Sequence, residues 1–270
     1  MGLFKRVLSI PGAKTLWERF PVGSVDLRMA WGIARDYPYY AFGTYLAATL
    51  AKRLTIPRIS VIEFGVAGGR GLVALEKHSR EIARATDVQI DVVGFDTGKG
   101  MPPARDYRDL VHVWTEGFFL MDETRLRTSL HDARLILGDV RESVVRWLDE
   151  RPAPVGFCAF DLDYYSSTMA AFQLFEAPAE RLLPRVCCYF DDITGPDFAA
   201  MNDFVGELAA INDFNTSHVT RKICQIRNLW YGRKRPENWN ELIYSFHDFE
   251  HPLYTKNIMP ERRGHQQLPL

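Results

Sequence analysis

Short apolar runs alternate along this chain with longer segments of helical periodicity, from about residue 59 onward. The apolar runs are bounded by glycine, proline or charged residues, which is typical of strands buried in a sheet. The intervening segments place apolar residues three and four positions apart, as amphipathic helices do. The predicted strands are 59–63, 88–95, 134–137, 155–160, 185–190 and, as a candidate sixth, 219–226; the predicted helices are 71–84, 140–148, one from about 167, and 198–211.

This alternation predicts an α/β fold. Strands that each return through a helix form a mainly parallel, doubly wound sheet of the Rossmann-like type, with helices on both faces. The chain would divide into an N-terminal helical cap (1–55), a Rossmann-like core (56–230) and a C-terminal tail (231–270) that could fold over the site. In the cap, Pro38 marks the start of a helix and Pro57 follows its end.

Composition limits the choice of function. The 270 residues are 47% hydrophobic with a formal net charge of −1, which fits a globular domain and gives no bias toward nucleic acid or an anionic membrane. No apolar run is long enough to cross a bilayer, and the basic first 14 residues make a poor signal peptide. Four cysteines without a C-x-x-C pair predict reduced thiols and a cytoplasmic protein. The oligomeric state stays open, and a homo-oligomer is allowed.

The glycine-rich segment 61–71 predicts a ligand site. An apolar strand ends there in Glu63, and four glycines follow within seven positions, among them Gly65 and Gly69. Glycine allows close backbone approach to a ligand, and the helix that follows begins with unpaired N–H groups. An acid at the strand end suits an amino group and a ribose better than a polyphosphate. The letters of 69–74 also fit the G-x-G-x-x-A dinucleotide fingerprint, so an NAD(P) site remains an alternative.

Acidic residues end each of the next four predicted strands as well. They are Asp96, Asp139, the pair Asp161 and Asp163, and the pair Asp191 and Asp192. Because parallel strands end at one edge of a sheet, seven carboxylates would gather there with Glu63. Such a rim needs a divalent metal, cationic ligand atoms or basic side chains to neutralise it. Oxygen ligands from neighbouring strand ends suit Mg²⁺; the alternative for a single aspartate is that it caps a helix or a turn.

Four sequence marks together resemble a known family. They are E-F-G-V-x-x-G-G in the glycine turn, G-F-D-T-G-K-G-M-P at 94–102, D-x-D-Y-Y-x-S-T at 161–168, and the D-D pair at 191–192. The chain resembles the class I S-adenosylmethionine-dependent methyltransferases, and in particular the metal-dependent macrocin O-methyltransferase-like group that modifies sugar hydroxyls. The resemblance spans about 58–195. The chain departs from that group at Leu162, where a small residue is usual, and after about residue 230.

The resemblance implies roles for individual residues. It assigns the methionine part and ribose of the cofactor to Glu63, Gly65 and Gly69, the ribose hydroxyls to Asp96, and the adenine to Asp139 and Val140. It assigns Mg²⁺ to Asp161, Asp191 and Asp192, and the catalytic base to Asp163, with Asp161 able to fill both roles.

The implied activity is S-adenosylmethionine-dependent, Mg²⁺-assisted O-methylation of a small hydroxylated acceptor, a sugar or a glycosylated metabolite. Two alternatives remain: an NAD(P)-dependent oxidoreductase, and a non-catalytic cofactor-binding or scaffold protein with the same fold. The letters H-D-F-E-H at 247–251 match an inverted zinc-protease motif, but Pro252 follows at once and favours an extended tail. A C-terminal tail can fold back over the strand ends, and His247 and His251 would then line the acceptor pocket instead.

Overall fold

The computed structural model describes residues 12–20, 22–232 and 236–259. In this part of the chain one seven-stranded sheet has the order β3-β2-β1-β4-β5-β7-β6. Strands β1 to β5 are parallel, and β7 is antiparallel to both β5 and β6. The strands are β1 Arg58–Phe64, β2 Gln89–Asp96, β3 Arg134–Leu137, β4 Val155–Phe160, β5 Leu182–Phe190, β6 Arg221–Gln225 and β7 Ile243–Asp248.

Helices cover both faces of the sheet. They are α1 Ala13–Arg19, α2 Val25–Trp31, α3 Pro38–Leu54, α4 Arg70–Thr86, α5 Glu123–Ser129, α6 Val140–Asp149, α7 Tyr165–Ala171, α8 Gly206–Ser217 and α9 Leu229–Gly232. Strand β1 shows why two layers are needed, because Ile59 and Val61 enter one apolar core and Ile62 and Phe64 the other. The predicted α/β, Rossmann-like fold is confirmed.

The strand predictions hold well where the strands are parallel. Strands β3 and β4 have the predicted bounds, and the cap helix α3 begins at Pro38 and ends at Leu54. The predicted helix at 198–211 is wrong in its first half, since α8 begins only at Gly206. Ala200 lies inside the predicted segment and has a left-handed backbone, with φ of 50°, which the interior of a right-handed helix cannot include.

The C-terminal tail supplies a strand that the sequence did not reveal. Strand β7 lies between β5 and β6, so the sheet continues beyond the predicted core boundary at residue 230. His247 pairs with Arg185, well before the carboxyl end of β5. Its Nδ1 lies 2.8 Å from the Tyr254 hydroxyl, and His251 Nε2 lies 3.1 Å from the carbonyl of Ala179. The expectation that these histidines line the acceptor pocket is therefore wrong.

Parts of the predicted cap and tail, residues 1–11, 21, 233–235 and 260–270, lie outside the described residues. All four cysteines are unpaired, as predicted, and Cys224 is the exposed one. Among the described helices, none has the length and apolar composition of a membrane span.

Candidate active site

A cavity of about 1090 Å³ opens at the carboxyl ends of the parallel strands. It lies where β1 has β2 on one side and β4 on the other, the switch point at which doubly wound sheets bind ligands. Its wall includes predicted site residues from five consecutive strand ends, namely Gly65, Asp96, Asp139, Val140, Asp161, Asp163, Asp191 and Asp192.

The glycine turn after β1 is held in place by Asp96. One oxygen of this carboxylate accepts the N–H groups of Val66 and Ala67, both at 2.9 Å, and the other accepts the N–H of Gly98 at 2.6 Å. Gly65 has φ of 84°, and a Cβ there would clash with the backbone carbonyl of Asp161. The turn thus requires glycine for two reasons, its positive φ and the close approach of Asp161. Asp96 stabilises this turn in addition to its predicted contact with the ribose.

Glu63 and Gly69 lie behind the cavity wall instead of forming it. The Glu63 carboxylate is buried and accepts the hydroxyl of Tyr40 at 2.8 Å, and its second oxygen has no hydrogen-bond partner among the described residues. Burial raises the pKa of Glu63 well above its usual value. Gly69 caps α4 with φ of 81°. Their predicted contacts with the cofactor remain predictions.

Asp139 and Val140 form the cavity wall at the end of β3. Asp139 is also the N-cap of α6, because its carboxylate accepts the N–H of Arg141 at 2.9 Å. Asp139 therefore has the helix-capping role that was its alternative interpretation. The contact of Asp139 and Val140 with the adenine remains a prediction.

Three carboxylates meet at the ends of β4 and β5. Asp161, Asp191 and Asp192 each offer one oxygen, and all three oxygens lie within 4.8 Å of one another. They meet because β4 and β5 are parallel neighbours in which Phe160 pairs with Phe190, so the residues that follow share one edge. Carboxylate oxygens in this number suit a hard cation such as Mg²⁺.

The acid cluster is electrostatically unfavourable without a cation. Burial raises the pKa of Asp161 and of Asp192 well above the usual value, and neighbouring carboxylates raise both further. Burial also raises the pKa of Asp163 to about 6. Throughout the part of the chain that the structure describes, no lysine, arginine or histidine forms an ion pair with these groups. Neutralisation therefore needs a proton or a bound cation.

The backbone of Asp163 is strained, and a hydrogen bond holds it in place. Its φ is 58°, which is uncommon for a residue with a side chain, and its N–H donates to Asp192 at 2.9 Å. The bond ties the turn after β4 to the turn after β5. The predicted base and one predicted metal ligand therefore have a fixed relative position.

Two residues of the site were missed from the sequence. Glu207, in the first turn of α8, is fully buried and accepts the N–H of Asp192 at 3.1 Å. Tyr189 donates its hydroxyl to Asp191, and the ring of Tyr39 stacks on Tyr189 at 4.1 Å. No sequence signal marks Glu207, since an acid near a helix start is ordinarily a surface residue. Tyr189 lies in an apolar strand, where the sequence predicts an ordinary core residue.

No protein-family model and no curated protein sequence matches the chain. Among solved structures, CalS11, a calicheamicin methyltransferase, is similar with 21% identity and a TM-score of 0.50, over 88% of this chain and 90% of that one. Its apo structure, described as a TDP-rhamnose 3'-O-methyltransferase, gives 20% identity, a TM-score of 0.41 and coverages of 88% and 91%. An O-methyltransferase from Bacillus cereus has 10% identity and a TM-score of 0.43, over 89% of this chain and 98% of that one.

The first of these similarities agrees with the observed sheet order, the cavity at the switch point and the glycine turn after β1. The chain has the fold of the class I S-adenosylmethionine-dependent methyltransferases.

Proposed function

We propose that this chain is an S-adenosylmethionine-dependent, Mg²⁺-assisted O-methyltransferase acting on a hydroxyl of a sugar or of a glycosylated metabolite. The observation that carries the proposal is the cluster of Asp161, Asp191 and Asp192 on the wall of the cavity that Gly65 and Asp96 also line. Hydride transfer to or from NAD(P) does not itself require such a cluster, whereas a metal-assisted transfer to oxygen does.

The residues present fit both groups. The three carboxylates form an oxygen-donor set with which no described basic residue forms an ion pair, and they would hold Mg²⁺. The cavity between Gly65 and Val140 has room for S-adenosylmethionine beside an acceptor, since small-molecule sites usually span about 300–1,000 Å³. When bound, S-adenosylmethionine supplies the methyl group, and Mg²⁺ lowers the pKa of the acceptor hydroxyl.

Asp163 would accept the proton of that hydroxyl on its carboxylate. In the metal-free protein a pKa of about 6 leaves this carboxylate ionised at neutral pH, as a base must be. Its position is fixed by the bond from its N–H to Asp192, which places it beside the proposed cation site. Asp161 stays the alternative base.

Asp191→Ala tests the metal assignment. We expect this variant to lose Mg²⁺ binding in calorimetric titration while its affinity for S-adenosylhomocysteine stays within a few-fold of that of the native protein. The matched control is Asp197→Ala, which removes an exposed aspartate from the same loop. Native-like Mg²⁺ affinity in Asp191→Ala would contradict the assignment.

A further inference from the structure

A second, smaller concavity of about 250 Å³ adjoins the main cavity. The two share Arg105, Arg141, Ser166 and Ala170 as walls, so a ligand in one can extend into the other. The smaller concavity lies between the loop after β2 and the starts of α6 and α7, away from the acid cluster. Its wall residues differ sharply in charge from those of the cluster.

Arginines dominate the smaller concavity. It is lined by Arg105, Arg108 and Arg141, with Asp106 as the one acid among its wall residues. The guanidinium group of Arg108 already has partners in the protein. Its Nη2 forms an ion pair with Asp106 at 2.8 Å, and its Cζ lies 3.9 Å from the centre of the Tyr165 ring. Among the residues that the structure describes, no carboxylate forms an ion pair with Arg105 or Arg141. Two positive charges therefore face the shared wall without compensation.

Hydrogen bonds fix the backbones that carry these two arginines. Asp109, fully buried, accepts the N–H of Arg105 at 2.8 Å and both the N–H and the hydroxyl of Ser166 at 2.8 Å. The loop is thereby tied to the start of α7. Arg141 is held at the start of α6 by the bond of its N–H to Asp139. The backbone positions of both arginines are thus set by the fold, although the side chain of Arg105 is exposed.

The proposed cofactor gives these arginines nothing to bind. S-adenosylmethionine carries its one carboxylate on the methionine part, which the family resemblance assigns to the glycine turn after β1. The adenine, placed beside Val140, has no charge. The anion that the two guanidinium groups would recognise must therefore come from another molecule, and guanidinium groups bind phosphate through paired hydrogen bonds.

We propose that Arg105 and Arg141 form a phosphoryl subsite for the acceptor, so that the acceptor is a phosphorylated sugar such as a nucleoside diphosphate sugar. This inference rests on the proposed function. The acceptor would present its hydroxyls to the acid cluster and its phosphate to the arginines, and the opposite charges of the two regions would set its orientation.

The probe is UDP, titrated calorimetrically into protein saturated with S-adenosylhomocysteine, in EDTA so that no metal bridges the phosphates. We expect UDP and pyrophosphate to bind, uridine to bind at least tenfold more weakly than UDP, and Arg105→Ala and Arg141→Ala each to weaken UDP by roughly tenfold. Their affinity for S-adenosylhomocysteine should stay within about twofold of the native value, and the control Arg84→Ala, which removes an exposed arginine of α4, should change neither ligand.

Three results would overturn the inference: no UDP binding, UDP affinity unchanged in both variants, or competition between UDP and S-adenosylhomocysteine. If the two arginine variants lose more affinity for S-adenosylhomocysteine than for UDP, the arginines belong to the adenine site, and this result would also overturn the inference. Failure of S-adenosylhomocysteine to bind the native protein contradicts the proposed function and the acceptor subsite with it. Binding of that ligand without UDP contradicts only the subsite.

Discussion

Replacing Glu207 with alanine should lower the Mg²⁺ affinity of the acid cluster, although Glu207 is not among the three clustered carboxylates. Its oxygen accepts the N–H of Asp192 at 3.1 Å, and the carboxylate of Asp192 in turn accepts the N–H of Asp163 at 2.9 Å. The alanine variant leaves a buried N–H without a partner, which costs about 1–3 kcal/mol. If that cost falls on the cation-binding conformation, the affinity drops by roughly 5- to 150-fold.

Glutamine at the same position separates position from charge. Glu207→Gln keeps an acceptor oxygen for the N–H of Asp192 but removes the ionisable carboxyl group, whose pKa burial raises well above its usual value. If the hydrogen bond positions Asp192, the glutamine variant should recover most of the Mg²⁺ affinity that the alanine variant loses. The assay is calorimetric titration with Mg²⁺, with thermal unfolding of the metal-free protein measured alongside.

Glu76 provides the matched control. It is as buried as Glu207, and its carboxylate accepts backbone N–H groups of 131–133, including those of His131 and Ala133 at 3.0 Å, but it does not line the cavity. Glu76→Ala should lower the unfolding temperature and leave the Mg²⁺ affinity unchanged. Native Mg²⁺ affinity in a folded Glu207→Ala protein, or equal losses in the two alanine variants, would refute the reasoning.

Other perturbations should separate the remaining parts of the site. Gly65→Ala should lower both the unfolding temperature and the affinity for S-adenosylhomocysteine, whereas Gly68→Ala, with open space around its Cβ, should change neither. Asp96→Ala should weaken the binding of S-adenosylhomocysteine by about 1–3 kcal/mol, because it removes the hydrogen bonds that hold the glycine turn together with the predicted ribose contact. Since the pKa of Asp163 is raised from 3.8 to about 6, folded metal-free protein binds more protons than unfolded chain between these values. The free energy of unfolding should therefore fall as pH rises through this range, and less steeply in Asp163→Asn; an unchanged slope in denaturant titrations would contradict the shift.

The sequence predicts best what parallel strands impose. Asp161 and Asp191 lie 30 residues apart in the chain, yet their meeting follows once β4 and β5 are recognised as neighbouring parallel strands. The turn of Gly65 is equally readable, because its conformation and its close contact with the next strand end both require glycine. Local patterns and the parallel-sheet rule are sufficient in these cases.

The features that were missed depend on contacts that no local pattern reveals. Strand β7 enters the sheet between β5 and a strand that precedes it in the chain, so only tertiary pairing identifies it. Glu207 looks like a solvated helix residue until α8 is placed against the turn of Asp192. The second duty of Asp96, holding the turn of Val66 and Ala67, likewise appears only when β1 and β2 are side by side.

Calorimetric titration of the native protein with S-adenosylhomocysteine and with NAD⁺, each with and without Mg²⁺, distinguishes a methyltransferase from an oxidoreductase. We expect micromolar binding of S-adenosylhomocysteine, no binding of NAD⁺, and separate Mg²⁺ binding that requires Asp191. Absence of S-adenosylhomocysteine binding, or binding of NAD⁺ in its place, would contradict the proposed function.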